Sequence, residues 1–214
     1  MILRRRQKRV NALALVLWAL VAFDLGHAQE ANVQGPADWQ TYMSWLKEDL
    51  RRPAAVATLE AYLAAAGVKD VVPTWQLIRT ATSWRQCGEP FAIPERRLWP
   101  SIVPTLVFVR DRIVPAIGPV QPVAVFRDDA INRCAGGARG SVHRRFGAVD
   151  LVPVRPLSID NLTSALCPIH AAHGERARIG LGFYRGRRFH VDTGGFRTWG
   201  PDTRRASSPC LAPR

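Results

Sequence analysis

The sequence predicts an α+β fold, a small antiparallel sheet flanked by helices, with an N-terminal helical segment in front of it. Three observations carry this expectation. Apolar residues recur at helical spacing early in the chain, short β-branched or aromatic runs follow in the second half, and 47% hydrophobic content in 214 residues suffices for one good core. The expected organisation is a leader over 1–28, a helical segment over 29–72 and one main domain over 73–214.

The leader has three parts. Arg4, Arg5, Arg6, Lys8 and Arg9 precede an apolar run over 12–23, and Gly26-His27-Ala28 is a small-residue end suited to cleavage. The run is shorter than the roughly 20 residues that span a bilayer, so a secretory signal is expected rather than an anchor, and no stable membrane association after its removal. The formal charge of +13 falls to +9 once the leader's net +4 is removed. A basic body suits nucleic acid, an anionic membrane or an anionic polymer such as cell wall. Export, and the lack of interleaved aromatic and basic residues that would stack bases, argue against nucleic acid. The four cysteines, Cys87, Cys134, Cys167 and Cys210, lack paired C-x-x-C spacing, which favours disulfides in an oxidising compartment over a thiolate metal site. Three pairings are possible, of which Cys87–Cys134 with Cys167–Cys210 is favoured.

The elements follow in order. Residues 37–50 place Trp39, Tyr42, Met43, Trp45 and Leu46 at helical spacing, and 53–66 repeat the pattern with Val56, Leu59, Tyr62 and Leu63 before Gly67. A short helix is expected over 74–84, then a loop punctuated by Pro90, Pro94 and Pro100, and a helix over 101–113 with Pro104 early in it. Residues 120–126 read as a strand, 128–132 as a short helix, 134–138 as a glycine-rich turn and 148–152 as a strand. Residues 160–173 read as a helix capped by Ser158 or Asp160 and ended by Gly174. Residues 180–184 and 188–192 read as two strands across the turn Arg185-Gly186-Arg187. If those strands pair, His190 and Asp192 share a face, because side chains two apart on a strand do.

The chemistry is expected at Ser141-Val142-His143, Asp150 and His190-Val191-Asp192. A histidine and an aspartate seven apart, with a second histidine forty residues on, offer two imidazoles and one carboxylate, a common donor set for catalytic zinc with one position left open. His170 and His173, near a helix end, read as surface or hydrogen-bonded core rather than ligands. The run Arg185-Gly186-Arg187-Arg188 reads as a solvated turn, with contact to anionic wall polymer as the alternative.

Val125-Phe126-Arg127, Asn132, Gly136-Gly137-Ala138, Ser141-x-His143, Ala148-Val149-Asp150-Leu151 and Phe189-His190-Val191-Asp192-Thr193-Gly194 with Trp199 together resemble the zinc D-Ala-D-Ala carboxypeptidase family and its peptidoglycan endopeptidase relatives. The resemblance covers roughly 75–200. It implies Zn2+ held by His143, Asp150 and His190, and Arg127 beside the substrate, where a guanidinium suits a carboxylate or a developing oxyanion. Ser141 is expected to orient substrate or backbone and not to act as a nucleophile. The implied activity is hydrolysis of peptidoglycan peptide stems by a periplasmic or secreted enzyme, with 73–214 as its catalytic domain. One departure stands out. Relatives place an acid three residues before the last ligand, or a histidine two before it, and here those positions are Arg187 and Arg188. Asp192 is therefore expected as general base or as a partner of a ligand histidine, with Asp128 or Asp129 as further candidates for the base. The missing acid also leaves open a non-catalytic wall-binding module that keeps the fold.

Overall fold

The structure is a computed structural model that describes residues 35–211. The leader lies outside the described residues. Among those described, no helix is long and apolar enough to cross a membrane.

Asp38 opens helix α1 (Trp39–Lys47) by accepting from the Thr41 backbone at 2.8 Å, and α2 (Arg52–Ala65) carries Pro53 in its first turn, where no N–H is needed. Both helices bury their apolar stripes, Tyr42 and Trp45 on one, Val56, Leu59 and Leu63 on the other, in the same core as the rest of the fold. The single helix expected over 74–84 is instead two isolated turns, α3 (Thr74–Leu77) and α4 (Trp84–Cys87). Arg79 breaks it. Its backbone bridges Phe91, and its side chain, 2% exposed, donates from Nε to Ala37 O at 2.8 Å and from Nη1 to Pro122 O at 2.5 Å. Burial draws its pKa down to about 10, which still leaves a cation at neutral pH.

A helical run over 103–117 begins as α5 (Val103–Phe108), widens to a π-turn at Val109–Ile113 and closes as α6 (Val114–Ile117). The widening comes just before Pro115, which cannot donate back to the preceding turn. Later come α7 (Asp129–Cys134), capped by Asp128, and α8 (Ile159–His173), capped by Ser158, whose hydroxyl accepts from Asn161 N at 3.1 Å. The disulfides are Cys87–Cys134, joining α4 to α7, and Cys167–Cys210, tying the C-terminal tail to α8. They fit an oxidising, extracytoplasmic compartment.

Strands β1 (Val120–Ala124), β2 (Ala148–Pro153), β3 (Gly180–Phe183), β4 (Phe189–Asp192) and β5 (Arg197–Trp199) form one sheet in the order β1-β2-β4-β3-β5. The first four pair antiparallel, as expected. The fifth lies parallel to β3, so the sheet is mixed. Three residues carry too short a pattern to announce a strand. One face presents Val149, Leu151, Leu181, Phe183, Phe189 and Val191, all essentially sealed, to the core shared with Leu106, Ile113, Leu162 and Leu166. The alternate residues of the same strands face the other way, and the chemistry sits there.

Candidate metal centre

Register brings two of the expected ligands together. Asp150 on β2 is paired directly with His190 on β4, and His190 in turn is opposite Gly182 on β3, while Asp192 is opposite Gly180. The glycines are needed. A Cβ at Gly182 would run into the indole of Trp199, and one at Gly180 would meet both the Arg197 guanidinium and the Asp192 carboxylate. Bare backbone on β3 thus leaves room for Trp199 to stand 5.5 Å from the His190 ring and for Arg197 to reach Asp192.

His143 arrives from outside the sheet, on a single 3-10 turn (Val142–Arg145) that ends in a left-handed Phe146, φ 55°. Strand β1 stops at Ala124 instead of running to Phe126 because the next residues turn to hold this histidine. Val125 O accepts from His143 Nδ1 at 2.6 Å, and Arg127 N donates to His143 O at 3.2 Å. The glycine-rich turn beside it is folded by buried Asn132, which donates to Gly137 O and Ala138 O. Gly137 is a glycine for a steric reason, since a Cβ would collide with that amide.

The three side chains converge. His143 Nε2, His190 Nδ1 and Asp150 Oδ1 lie 3.2 Å, 3.3 Å and 2.9 Å from one another, all buried. Ligand bonds of about 2.1 Å at tetrahedral angles put donor atoms about 3.4 Å apart, so this spacing fits one small cation. The far ring nitrogens are committed as protonated donors, His143 Nδ1 to Val125 O and His190 Nε2 to Asp192 Oδ2 at 2.6 Å. Each imidazole therefore turns a lone pair toward a carboxylate oxygen, and three acceptors facing one another call for a positive charge between them. Burial, with the Arg127 charge adding to it, pushes His143 down to about 4, so the imidazole is neutral at pH 7. Burial also acts to lower His190, but the bonds and charges of Asp150 and Asp192 outweigh it and raise the pKa. Asp150 is held well below the carboxylate range by the two histidines despite the opposing effect of burial. A proton on His190 and a metal ion thus compete for one place.

Around this centre lies a cleft of about 760 Å³. Arg127 lines it, donating from Nη2 to Asp150 Oδ2 at 3.1 Å, and its buried Nε has no partner among the described residues. Ser141 also stands on the wall. Asp192 does not. Its carboxylate lies behind His190 and takes bonds from His190 Nε2, from the Gly194 backbone at 2.6 Å and from both terminal nitrogens of Arg197 at 2.5 and 3.0 Å. Asp128 caps α7 and Asp129 pairs with Arg144, both exposed and away from the cleft wall. His170 is a core histidine, 3.0 Å from Ile179 O and stacked on Phe196.

Two contributors went unnoticed in the sequence. Arg197 was unremarkable beside a short strand. Tyr184 was merely the end of a strand, yet its hydroxyl donates to Asp150 Oδ1 at 3.0 Å. A signal existed for it: Gly180, Gly182 and Tyr184 alternate onto the face that carries His190. Burial and the neighbouring Asp150 charge push its pKa upward, so it is a protonated phenol at neutral pH.

Fold and site together define an α+β domain in which two strands of the sheet and one adjoining 3-10 turn bring a buried His–Asp–His donor set to the wall of a cleft. Comparison with protein-family models, with curated proteins and with solved structures finds no match.

Proposed function

We propose that the chain is an exported zinc-dependent peptidase that hydrolyses the peptide stems of peptidoglycan, as a D,D-carboxypeptidase or endopeptidase, in the periplasm or outside the cell. One observation carries this reading: two imidazole nitrogens and a carboxylate oxygen meet within 3.3 Å of one another, and the cleft opens onto that point. His143, Asp150 and His190 would hold the ion. Zinc would supply a Lewis acid for the peptide carbonyl and lower the pKa of water to near neutrality.

The chain's own groups take the remaining roles. Arg127, partly unpartnered and at the cleft wall, stabilises charge on the peptide, and Ser141 orients it. Asp192 fits the role of partner to His190 rather than general base, because every direction of its carboxylate is taken and it stands behind the imidazole. The leader and the wall target rest on the sequence, the second through family resemblance. Basic charge on the body favours an anionic polymer as the surroundings.

A second reading has its own support. Among the described residues lining the cleft, Asp150 is the sole carboxylate, which suits a non-catalytic wall-binding module. The deciding experiment is digestion of defined muropeptides by the zinc-loaded mature chain, read by product mass. Cleaved stems that vanish together with bound zinc in His143→Ala support the peptidase. Retention on purified wall with no product, zinc bound, supports the module.

A further inference from the structure

Resting on the peptidase reading, we propose that Tyr184 is a catalytic hydrogen-bond donor of this site, its hydroxyl donating to the scissile carbonyl oxygen as negative charge develops there. Among the described residues the cleft wall carries no carboxylate besides Asp150, and Asp192 is sealed behind His190. Apart from the Arg127 guanidinium, Tyr184 has the polar hydrogen that bonds directly to the donor set, at 3.0 Å from Asp150 Oδ1. Tyr184 lines the cleft and is partly buried.

The ring is held while the hydroxyl remains free to turn. Trp199 packs edge-on against it, centroids 4.9 Å apart, and the Arg188 guanidinium lies 3.8 Å from its centroid. Arg188 is itself fixed by a bond from Nη1 to Thr82 Oγ1 at 3.2 Å. A cation on the face of a phenol draws electron density from the ring and makes the O–H a stronger donor. Rotation about the C–O bond moves the hydrogen from Asp150 toward the cleft with no shift of the ring. The rotation exchanges the bond to Asp150 for one to the developing oxyanion, while the ring stays fixed.

No proton leaves the phenol. Hydrolysis breaks the peptide C–N bond, water adds its hydroxyl to carbon and a proton to nitrogen, and Tyr184 shares its hydrogen throughout. The rival role is structural, in which the hydroxyl only orients Asp150, and three readouts on zinc-loaded Tyr184→Phe separate the two. These are kcat and KM on a stem peptide, binding of its phosphinate isostere by calorimetry, and zinc affinity by chelator competition. The expected result is kcat lower by about 10²-fold, phosphinate binding weakened in proportion, and KM and zinc affinity unchanged. Zinc affinity falling in step with activity overturns the proposal in favour of the structural role, as does unchanged kcat with unchanged phosphinate binding. If the wild-type chain cleaves no stem peptide, the peptidase reading itself falls and the proposal with it, a result visible before any variant is made.

Discussion

Asp192→Asn isolates what a carboxylate behind a ligand histidine does. In the wild type that carboxylate accepts from His190 Nε2 at 2.6 Å, Gly194 N at 2.6 Å and Arg197 at 2.5 and 3.0 Å, with no water-exposed edge. An amide has one accepting oxygen where the carboxylate has two. Its NH2 must therefore face donors, either His190 Nε2 with Arg197 Nη2 or Gly194 N with Arg197 Nη1. Facing His190, it drives the ring to the tautomer with the proton on Nδ1, the atom aimed at the metal position. In either orientation the neutral amide leaves Arg197 without its counter-charge. Loss of such a partner costs about 10- to 100-fold in metal affinity, or about 1.4 to 2.7 kcal/mol. Zinc affinity measured by competition with a chromophoric chelator, on protein shown to be folded by circular dichroism, should fall by that factor. Unchanged affinity would refute the orienting role. Loss of turnover with zinc affinity intact would instead return Asp192 to the position of general base.

Two further perturbations test the frame around the site. Gly182→Ala puts a methyl into the Trp199 indole beside His190, and overpacking of this kind costs about 1 to 3 kcal/mol. Thermal unfolding should shift down by about 2 to 4 °C for each kcal/mol in a chain of this size, and an unchanged midpoint would mean that Trp199 is not held where the structure places it. His170 has its pKa lowered by burial, so the unfolded chain takes up its proton first as pH falls. The stability it contributes is full above the ordinary histidine value of about 6.5 and is lost as pH drops through the depressed folded value. His170→Gln should remove that portion of the acid sensitivity in urea midpoints measured across pH, and a wild-type-to-variant difference that stays flat with pH would overturn the assignment.

Much of the site was legible because its parts are local. Ser141-x-His143 and Ala148-x-Asp150 each sit within one short element, and period-two alternation on β4 puts His190 and Asp192 on one face in any sheet that uses it. Ser158 was legible from side-chain chemistry as one of two possible caps of α8, with Asp160 the other, whereas Asp128, expected inside its short helix, is that helix's cap. Arg79 was not readable. Helical spacing runs through 74–84, and only burial of the guanidinium against two carbonyls more than forty residues away breaks the segment into separate turns. Tyr184 and Arg197 were missed for a related reason, since each matters through a partner on another strand.

By itself the sequence determined the alternation of helices and short strands, the four cysteines suited to two disulfides, and an ordered set of histidines and an aspartate able to hold a cation. Only the tertiary structure decided that Asp150 and His190 are register partners, that His143 swings in on a turn held by Val125, and that Asp192 stands behind the imidazole instead of on the cleft wall. The physical reason is one of range. Backbone propensity and side-chain periodicity act over a few residues, whereas the direction of a lone pair depends on hydrogen bonds across strands distant in the chain, and those bonds exist only once the sheet has closed.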